Sequence, residues 1–494
     1  KENMRKYISI LVVRYSEMLL KENIQRAGVG FLLDRMLKYI DKDPKKNILK
    51  LIGLAEKFAG KTFPEKTFKG FRDAISDDNN VWNTYAMNLL KDIDRDYLKK
   101  MFLSFVLGAG LHGTRAVRAN REKYKCNIPW LMLIDPTSAC NMNCKGCWAA
   151  EYGHKLNLTY DEINNVINQG VELGTHLYMF TGGEPLIRKN DILRLCREHK
   201  NCTFLAYTNA TLIDQKFCDD MKDVGNLTLA LSIEGSEESN DFRRGAGAYE
   251  RTIKAMELLK KNKCIYGLSI CYTSQNVDKV TSDEFIDLMI DKGAKFALYF
   301  NYMPVGTGAV EELIPTPEQR THMYFWLKKM RNGKTGKPLF VMDFQDDGEY
   351  VGGCIAGGRN YFHINSAGDI EPCVFIHFSD SNIRTHTILE ALRNPLFMSY
   401  YHNQPFNDNH LRPCPMLENP EYLRKMIKQT GAKSTDLENQ EGVEHLCAKC
   451  DKFAAAWKEQ ADKLWAENKH PNPKTQYYRD TEQAMREKLD DLVR

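Results

Sequence analysis

Between about residue 129 and residue 335, short apolar runs rich in β-branched and aromatic residues alternate with helical stretches, and few folds accept that alternation. The runs are Leu131–Asp135, His176–Phe180, Thr203–Thr208, Leu227–Ile233, Ile265–Tyr272 and Phe296–Tyr302. Helical patterns follow near Tyr160–Leu173, Asn190–His199, Asp214–Asp223, Tyr249–Lys261, Ser282–Lys292 and Pro317–Met330. Six such units in succession predict an α/β fold, a partial (β/α)6 TIM-like barrel with a parallel, curved sheet and helices outside. Ligand chemistry in such folds gathers at the carboxyl ends of the strands.

The flanks read differently, and the chain divides into four expected regions. Residues 1–125 are helical, with breakers at Asp43-Pro44 and Phe63-Pro64, and carry about eleven more Lys and Arg than Asp and Glu. Amphipathic patterns at Tyr7–Leu20 and Val29–Ile40 suit either a helical bundle or a surface that meets substrate or anionic lipid. Residues 126–335 hold the barrel. Residues 336–455 contain Gly-rich loops and five further cysteines, and residues 456–494 form a charged helical tail, exposed over Tyr477–Arg494. The net charge of +4 does not point to nucleic acid, and no apolar run is long enough to cross a bilayer. Fourteen cysteines without a disulfide-like framework point to cofactor chemistry in a reducing, cytoplasmic setting.

The first strand-like run leads into Cys140-Asn-Met-Asn-Cys144-Lys-Gly-Cys147. Three thiolates on one loop can hold three irons of a cubane cluster and leave the fourth iron open for chemistry. Structural zinc usually takes four closed ligands, and only His154 lies near enough to complete such a set. Packed core cysteines would follow a strand or helix period, whereas this run is flanked by Asn, Lys and Gly.

One unit further on stands Thr181-Gly-Gly-Glu-Pro185, a turn in which a Gly pair admits close backbone approach and Glu184 supplies an acceptor. Together the two motifs resemble the radical S-adenosylmethionine (SAM) superfamily over about Ile128 to Gly308. The resemblance implies that Cys140, Cys144 and Cys147 ligate a 4Fe–4S cluster whose open iron chelates SAM. It implies that Gly182, Gly183 and Glu184 cradle the methionine ammonium, and that Ser232 and Glu234 hold the ribose. Asn209, Ser269 and Asn301 to Val305 are further candidate contacts to SAM or substrate. The family usually has an aromatic residue before the last cysteine; here that position is Gly146, followed by Trp148.

A second resemblance is to the SPASM or twitch extension, in which Cys354 leads through Gly368-Asp-Ile-Glu-Pro to Cys373. It implies one auxiliary 4Fe–4S cluster on Cys354, Cys373 and Cys414, with Cys447 or Cys450 as the fourth ligand. A zinc-ribbon reading of Cys447-Ala-Lys-Cys450 would need a second pair across a long gap. Cys126, Cys196, Cys202, Cys218, Cys264 and Cys271 fall outside both sets and are expected mostly to pack in cores.

The resemblance implies an oxygen-sensitive enzyme fed by a flavodoxin- or ferredoxin-like donor, which cleaves SAM reductively to a 5′-deoxyadenosyl radical and abstracts hydrogen from an unactivated C–H bond. The basic, amphipathic front end favours a lipid substrate, coupled or otherwise modified on an apolar chain, with peripheral contact to the inner face of an anionic membrane. The alternative is a maturase that modifies a peptide or protein, and a more remote one is a non-enzymatic iron–sulfur electron carrier.

Overall fold

The computed structural model describes residues 28–31, 33, 42–60 and 62–468. Its centre is one nine-stranded sheet: β1 (Leu131–Ile134), β2 (Leu177–Phe180), β3 (Thr203–Thr208), β4 (Leu227–Ser232), β5 (Tyr266–Tyr272), β6 (Phe296–Asn301), β7 (Phe340–Asp343), β8 (Tyr361–Ile364) and β9 (Ile370–Glu371). The spatial order is β7-β6-β5-β4-β3-β2-β1-β8-β9. Pairs from β7 through β1 to β8 are parallel, and only β9 runs antiparallel. Strands β1 to β6 are largely buried on both faces, which is why they read as near-continuous apolar runs, whereas the edge strand β7 alternates exposed and buried residues.

All six expected strands are present with ends shifted by at most one residue. The helices between them start where side chains can satisfy free backbone amides. Thr159 and Glu162 form a reciprocal cap on the helix Tyr160–Leu173, and Thr316 and Gln319 do the same for Pro317–Arg331. Asp214 and Ser282 cap the helices Gln215–Val224 and Asp283–Lys292. These helices pack on the outer faces of the strands, where Tyr299 meets Trp326 edge-on at 5.0 Å.

The sheet is longer than the six units expected. β7 extends it at one edge, and β8 inserts beside β1 at the other in register Leu131↔Tyr361 to Ile134↔Ile364. The region after residue 335 is therefore continuous with the barrel wall. The helix Val443–Glu467 likewise runs through the boundary expected at residue 455. The exposed tail expected over Tyr477–Arg494 lies outside the described residues.

Helices Pro44–Ala59, Glu65–Ser76, Val81–Asp92, Arg95–Phe102 and Thr114–Tyr124 form the front end, with the π-helical turns Leu103–Gly113 before the last of them. Two begin at or just after the expected breakers, Pro44 and Pro64. This region packs under the amino ends of the strands. Tyr97 donates to the carbonyl of Leu227 at the start of β4, Asp94 N–H donates to Lys263 O before β5, and Val81 N–H donates to Gly333 O before β7. A side chain at Gly108 would meet the carbonyl of Asn201, below β3, at 2.2 Å. The described front end thus lies at the end of the barrel opposite the cysteine loop. The amphipathic pattern Tyr7–Leu20, and all but a few residues of Val29–Ile40, lie outside the described residues. No helix among the described residues is long and apolar enough to cross a membrane.

Candidate functional site

The loop after β1 is built before its cysteines are reached. Asp135 to Ala139 run beside Leu156–Asn157, with Ser138 N–H donating to Leu156 O and Leu156 N–H returning to Ser138 Oγ. The turn after β2 locks onto this base: Gly183 N–H donates to Thr137 O at 3.0 Å and Glu184 N–H to Ala139 O at 2.8 Å. The approach is too close for side chains. A Cβ on Gly182, whose φ is +100°, would meet Thr137 O at 2.6 Å, and one on Gly183 would meet Ala139 O at 2.1 Å.

Glu184 is buried and occupied by the protein itself. Its Oε1 accepts from Leu186 N–H and the Thr208 hydroxyl, and its Oε2 accepts from Asn209 N–H. The carboxylate therefore ties the end of β3 to the turn, and the cradle is left to the backbone around Gly182 and Gly183. Asn209 continues the brace by donating from Nδ2 to Asn141 Oδ1, inside the cysteine loop, at 2.8 Å.

Cys140, Cys144, Cys147, Gly182, Gly183, Glu184, Asn209, Ser232, Ser269 and Asn301 all line one cavity of about 680 Å³ at the carboxyl ends of the strands. Ser232 and Ser269 are register partners on β4 and β5. Asn301 is buried, and neither its Oδ1 nor its Nδ2 has a hydrogen-bond partner among the described residues. Glu234 differs from expectation. It does not line the cavity; its Oε1 is gripped below the wall by Arg243 at 2.6 Å and by Arg244 at 2.6 Å and 2.9 Å. The two guanidiniums line the cavity instead, and Lys145 N–H donates to Arg243 O, so they sit against the cysteine loop. Burial opposes the charge on Arg243, but Cys271, Glu234, Cys144 and Cys147 outweigh it and raise its pKa.

Gly146 has φ +62°, and Tyr302 from the end of β6 lies over it. A Cβ there would come within 2.6 Å of the tyrosine hydroxyl and 2.8 Å of the ring. The aromatic surface missing at residue 146 is thus supplied by another strand. Cys271, expected among packing cysteines, also lines this cavity, whereas Cys126, Cys196, Cys202, Cys218 and Cys264 are buried in the core.

Away from the cysteine loop the cavity wall is ring-rich. Tyr207, Phe300, Phe344, Tyr361 and Phe375 follow one another, with Tyr207–Phe300 at 5.9 Å, Phe300–Phe344 at 5.6 Å and Phe344–Phe375 at 6.0 Å. Phe344, Phe375, Met303 and Ile355 also wall a second, smaller cleft that holds Cys354, Cys373 and Cys414. Between the two sites lies a buried charged chain. His363 Nε2 is 2.9 Å from Asp135, His363 Nδ1 is 2.6 Å from Glu371, and Tyr152 donates to Glu371. Trp148, next to Cys147, packs edge-on against His363 at 5.7 Å. Burial would discharge His363, but Asp135 and Glu371 outweigh it and push its pKa up to about 10.

The sulfurs divide by hydrogen bonding. Cys373 Sγ accepts from the Tyr361 hydroxyl at 2.7 Å. Cys414 Sγ accepts from Met416 and Leu417 N–H, both at 3.4 Å. Acceptor sulfurs of this kind suit thiolates that hold metal. Cys264 and Cys450 instead donate, Cys450 to Leu446 O at 3.8 Å, as packed thiols do. Burial pushes Cys140 and Cys354 to about 11 and Cys373 and Cys447 to about 12, so these thiols must release protons to bind metal. Among the described residues no three Cys, His, Asp or Glu side chains converge on a single metal ion, the geometry that either zinc reading requires, and His154 is exposed.

Residues 134–289 match the Radical SAM superfamily. The chain carries a radical SAM domain. Proteins of this superfamily bind SAM and a 4Fe–4S cluster, and the three loop thiols that share a cavity with the orphaned Asn301 amide fit that pair. An AdoMet-dependent heme synthase from Methanosarcina barkeri is 25% identical over 294 residues, covering 54% of this chain and 83% of that protein. The mycofactocin maturase MftC from Mycolicibacterium smegmatis is 26% identical over 263 residues, covering 50% of this chain and 65% of that protein. Among solved structures, Streptococcus suis SuiB bound to its precursor peptide SuiA superposes with a TM-score of 0.51 at 18% identity, over 69% of this chain and 80% of that one. That likeness is one of fold.

Sequence reasoning missed Arg243, Arg244 and His363, and it named Tyr302 only within the candidate run Asn301 to Val305, without its place over Gly146. The arginines sit in a charged helical run that resembles a solvated face, and a lone histidine in a short apolar run resembles packing. Gly146 was the visible signal for Tyr302, although not for which residue would fill the space.

Proposed function

We propose that the chain is a radical SAM enzyme in which Cys140, Cys144 and Cys147 hold the SAM-binding cluster, and Cys354, Cys373, Cys414 and Cys447 hold an auxiliary one. The observation that carries this reading is the placement of the three loop cysteines, the Gly182–Gly183 backbone and two arginines around one cavity whose wall also holds a run of rings. When bound, cluster and SAM supply one-electron cleavage of SAM and removal of a hydrogen atom from an unactivated C–H bond. The protein does the rest. Arg243 and Arg244, already paired with Glu234, offer their remaining N–H groups to the carboxylate of SAM. The backbone at Gly182 and Gly183 receives its ammonium, and Ser232, Ser269 and Asn301 offer hydroxyl and amide partners to ribose and base. Tyr302 supplies an aromatic face beside the cysteine loop. The aromatic wall excludes water from the substrate carbon and orients it.

The substrate reading follows from the wall. A connected run of rings, Tyr207, Phe300, Phe344 and Phe375, stands among the aliphatic side chains of the substrate half, and the described front end packs under the amino ends of the strands. This favours a substrate that presents a ring or conjugated system, a class in which the heme synthase relative also works by name. A peptide bearing such a side chain is the second reading, favoured by the open edge at β7, where Phe340 and Met342 line the cavity yet remain 42% exposed each.

The test is direct. Anaerobically reconstituted enzyme under dithionite converts SAM to 5′-deoxyadenosine, and the Cys140/Cys144/Cys147→Ala variant does not; product from that variant would overturn the assignment. Offered fractions of deuterated cell extract, the enzyme acquires deuterium in 5′-deoxyadenosine from ring-bearing compounds and not from saturated acyl chains.

A further inference from the structure

Two tyrosine hydroxyls stand at the auxiliary cysteines, and neither is explained by the packing of the protein alone. Tyr361, on β8, is fully buried; its ring lines the main cavity and its hydroxyl donates to Cys373 Sγ at 2.7 Å. The same hydroxyl oxygen accepts from Val374 N–H at 3.3 Å, so its proton is directed at the sulfur. Tyr400, in the helix Pro395–Asn403, is 0% exposed, and its hydroxyl has no hydrogen-bond partner among the described residues. Its ring is held rigidly: a Cβ on Gly357, φ +62°, would lie 2.3 Å from the Tyr400 ring, and Phe406 packs edge-on at 5.4 Å. Tyr400 shares one buried cluster with Cys373, Cys447 and Cys450, against which Cys354 and Cys414 pack. A buried, unpaired hydroxyl costs about 1–3 kcal/mol. Phenylalanine would avoid that cost, so a donor kept there among these cysteines calls for an acceptor.

We propose that Tyr361 and Tyr400 donate hydrogen bonds to the sulfurs of the auxiliary cluster and thereby hold its reduction potential up. The inference rests on the assignment of Cys354, Cys373, Cys414 and Cys447 proposed above. Both tyrosines are positioning residues that act through sulfur. A donor to a thiolate or sulfide stabilises the more negative, reduced cluster more than the oxidised one, so its removal makes reduction harder. Tyr361 carries this effect to the cavity wall within one side chain, where an electron leaving a substrate carbon would have to cross.

The experiment uses the full chain with Cys140/Cys144/Cys147→Ala, so that only the auxiliary cluster is read. Iron content and the electron paramagnetic resonance (EPR) signal are measured first; a protein that binds no cluster overturns the ligand assignment itself. With the cluster present, Tyr400→Phe and Tyr361→Phe are each expected to shift the EPR-monitored midpoint potential to more negative values. The metal-free proteins separate tuning from folding. Tyr400→Phe is expected to leave the thermal midpoint of the metal-free protein unchanged or higher, because no protein acceptor is lost. Unchanged potentials in both variants, or a metal-free Tyr400→Phe protein that melts lower than its parent, would overturn the proposal.

Discussion

The two cysteine sites of this chain differ in what surrounds the sulfur. Cys140, Cys144 and Cys147 are all partly exposed on a loop that opens into a large cavity, and cations and backbone turns face them. Cys373 and Cys447 are buried, Cys354 and Cys414 are partly exposed like the loop cysteines, and phenols and apolar side chains pack around all four. The first set opens on a cavity of about 680 Å³ that two arginines also line, and Cys354, Cys373 and Cys414 stand in a smaller cleft walled by Phe344, Phe375, Met303 and Ile355.

The largest effect should come from the fourth auxiliary position. Cys447→Ala is expected to abolish auxiliary cluster binding, read as loss of one cluster of iron, whereas Cys450→Ala keeps it because its thiol donates to Leu446 O. Equal iron loss in both would erase the distinction between acceptor and donor sulfurs. Next is the joint between the sites. His363→Leu leaves Asp135 and Glu371 buried without their cation, at a cost of about 3–5 kcal/mol of stability. The pH dependence has a definite sign. The folded pKa of His363, about 10, lies above its ordinary value, so its stabilisation is whole below about pH 6.5 and is lost as pH rises through about 10. Thermal midpoints measured across that range should fall with pH in the parent and fall less in His363→Leu.

A smaller effect belongs to the open site. Arg243→Leu removes a charge-assisted partner and should weaken SAM binding about tenfold or more by calorimetry, with Arg243→Lys recovering part of it. Unchanged affinity would remove the guanidiniums from the SAM end. Smallest is Gly146→Ala, which forces a Cβ toward Tyr302 at positive φ and should cost about 1–2 kcal/mol in chemical unfolding while the auxiliary cluster is retained.

The parts legible in the sequence were those written in local pattern. Strand runs such as Thr203–Thr208 and Leu227–Ser232 are apolar and β-rich because helices cover one face and the barrel lumen the other. The cysteine spacing and the Gly pair were legible for the same reason, since a loop ligand set and a close backbone approach constrain neighbouring residues. β8 was not legible: Tyr361–Ile364 is four residues long, and its partner β1 lies more than 200 positions away, so nothing local announces the pairing. Glu184 and Glu234 were read as ligand contacts from the family resemblance of the Gly-Gly-Glu-Pro run and of the end of the fourth strand. Their partners, Thr208 in one case and Arg243 with Arg244 in the other, come from other segments and turn both carboxylates inward.

The insertion of β8 beside β1 has a practical consequence for dissection of the molecule. The strand that launches the Cys140–Cys147 loop draws one of its two neighbours from the chain's later third. A fragment ending near residue 335 would expose β1 as a raw, apolar sheet edge, with Leu131 and Leu133 open to solvent and a row of unanswered amides and carbonyls beside them. Such a fragment should aggregate rather than persist as a minimal enzyme, and attempts to isolate the loop chemistry should shorten the amino-terminal helices instead.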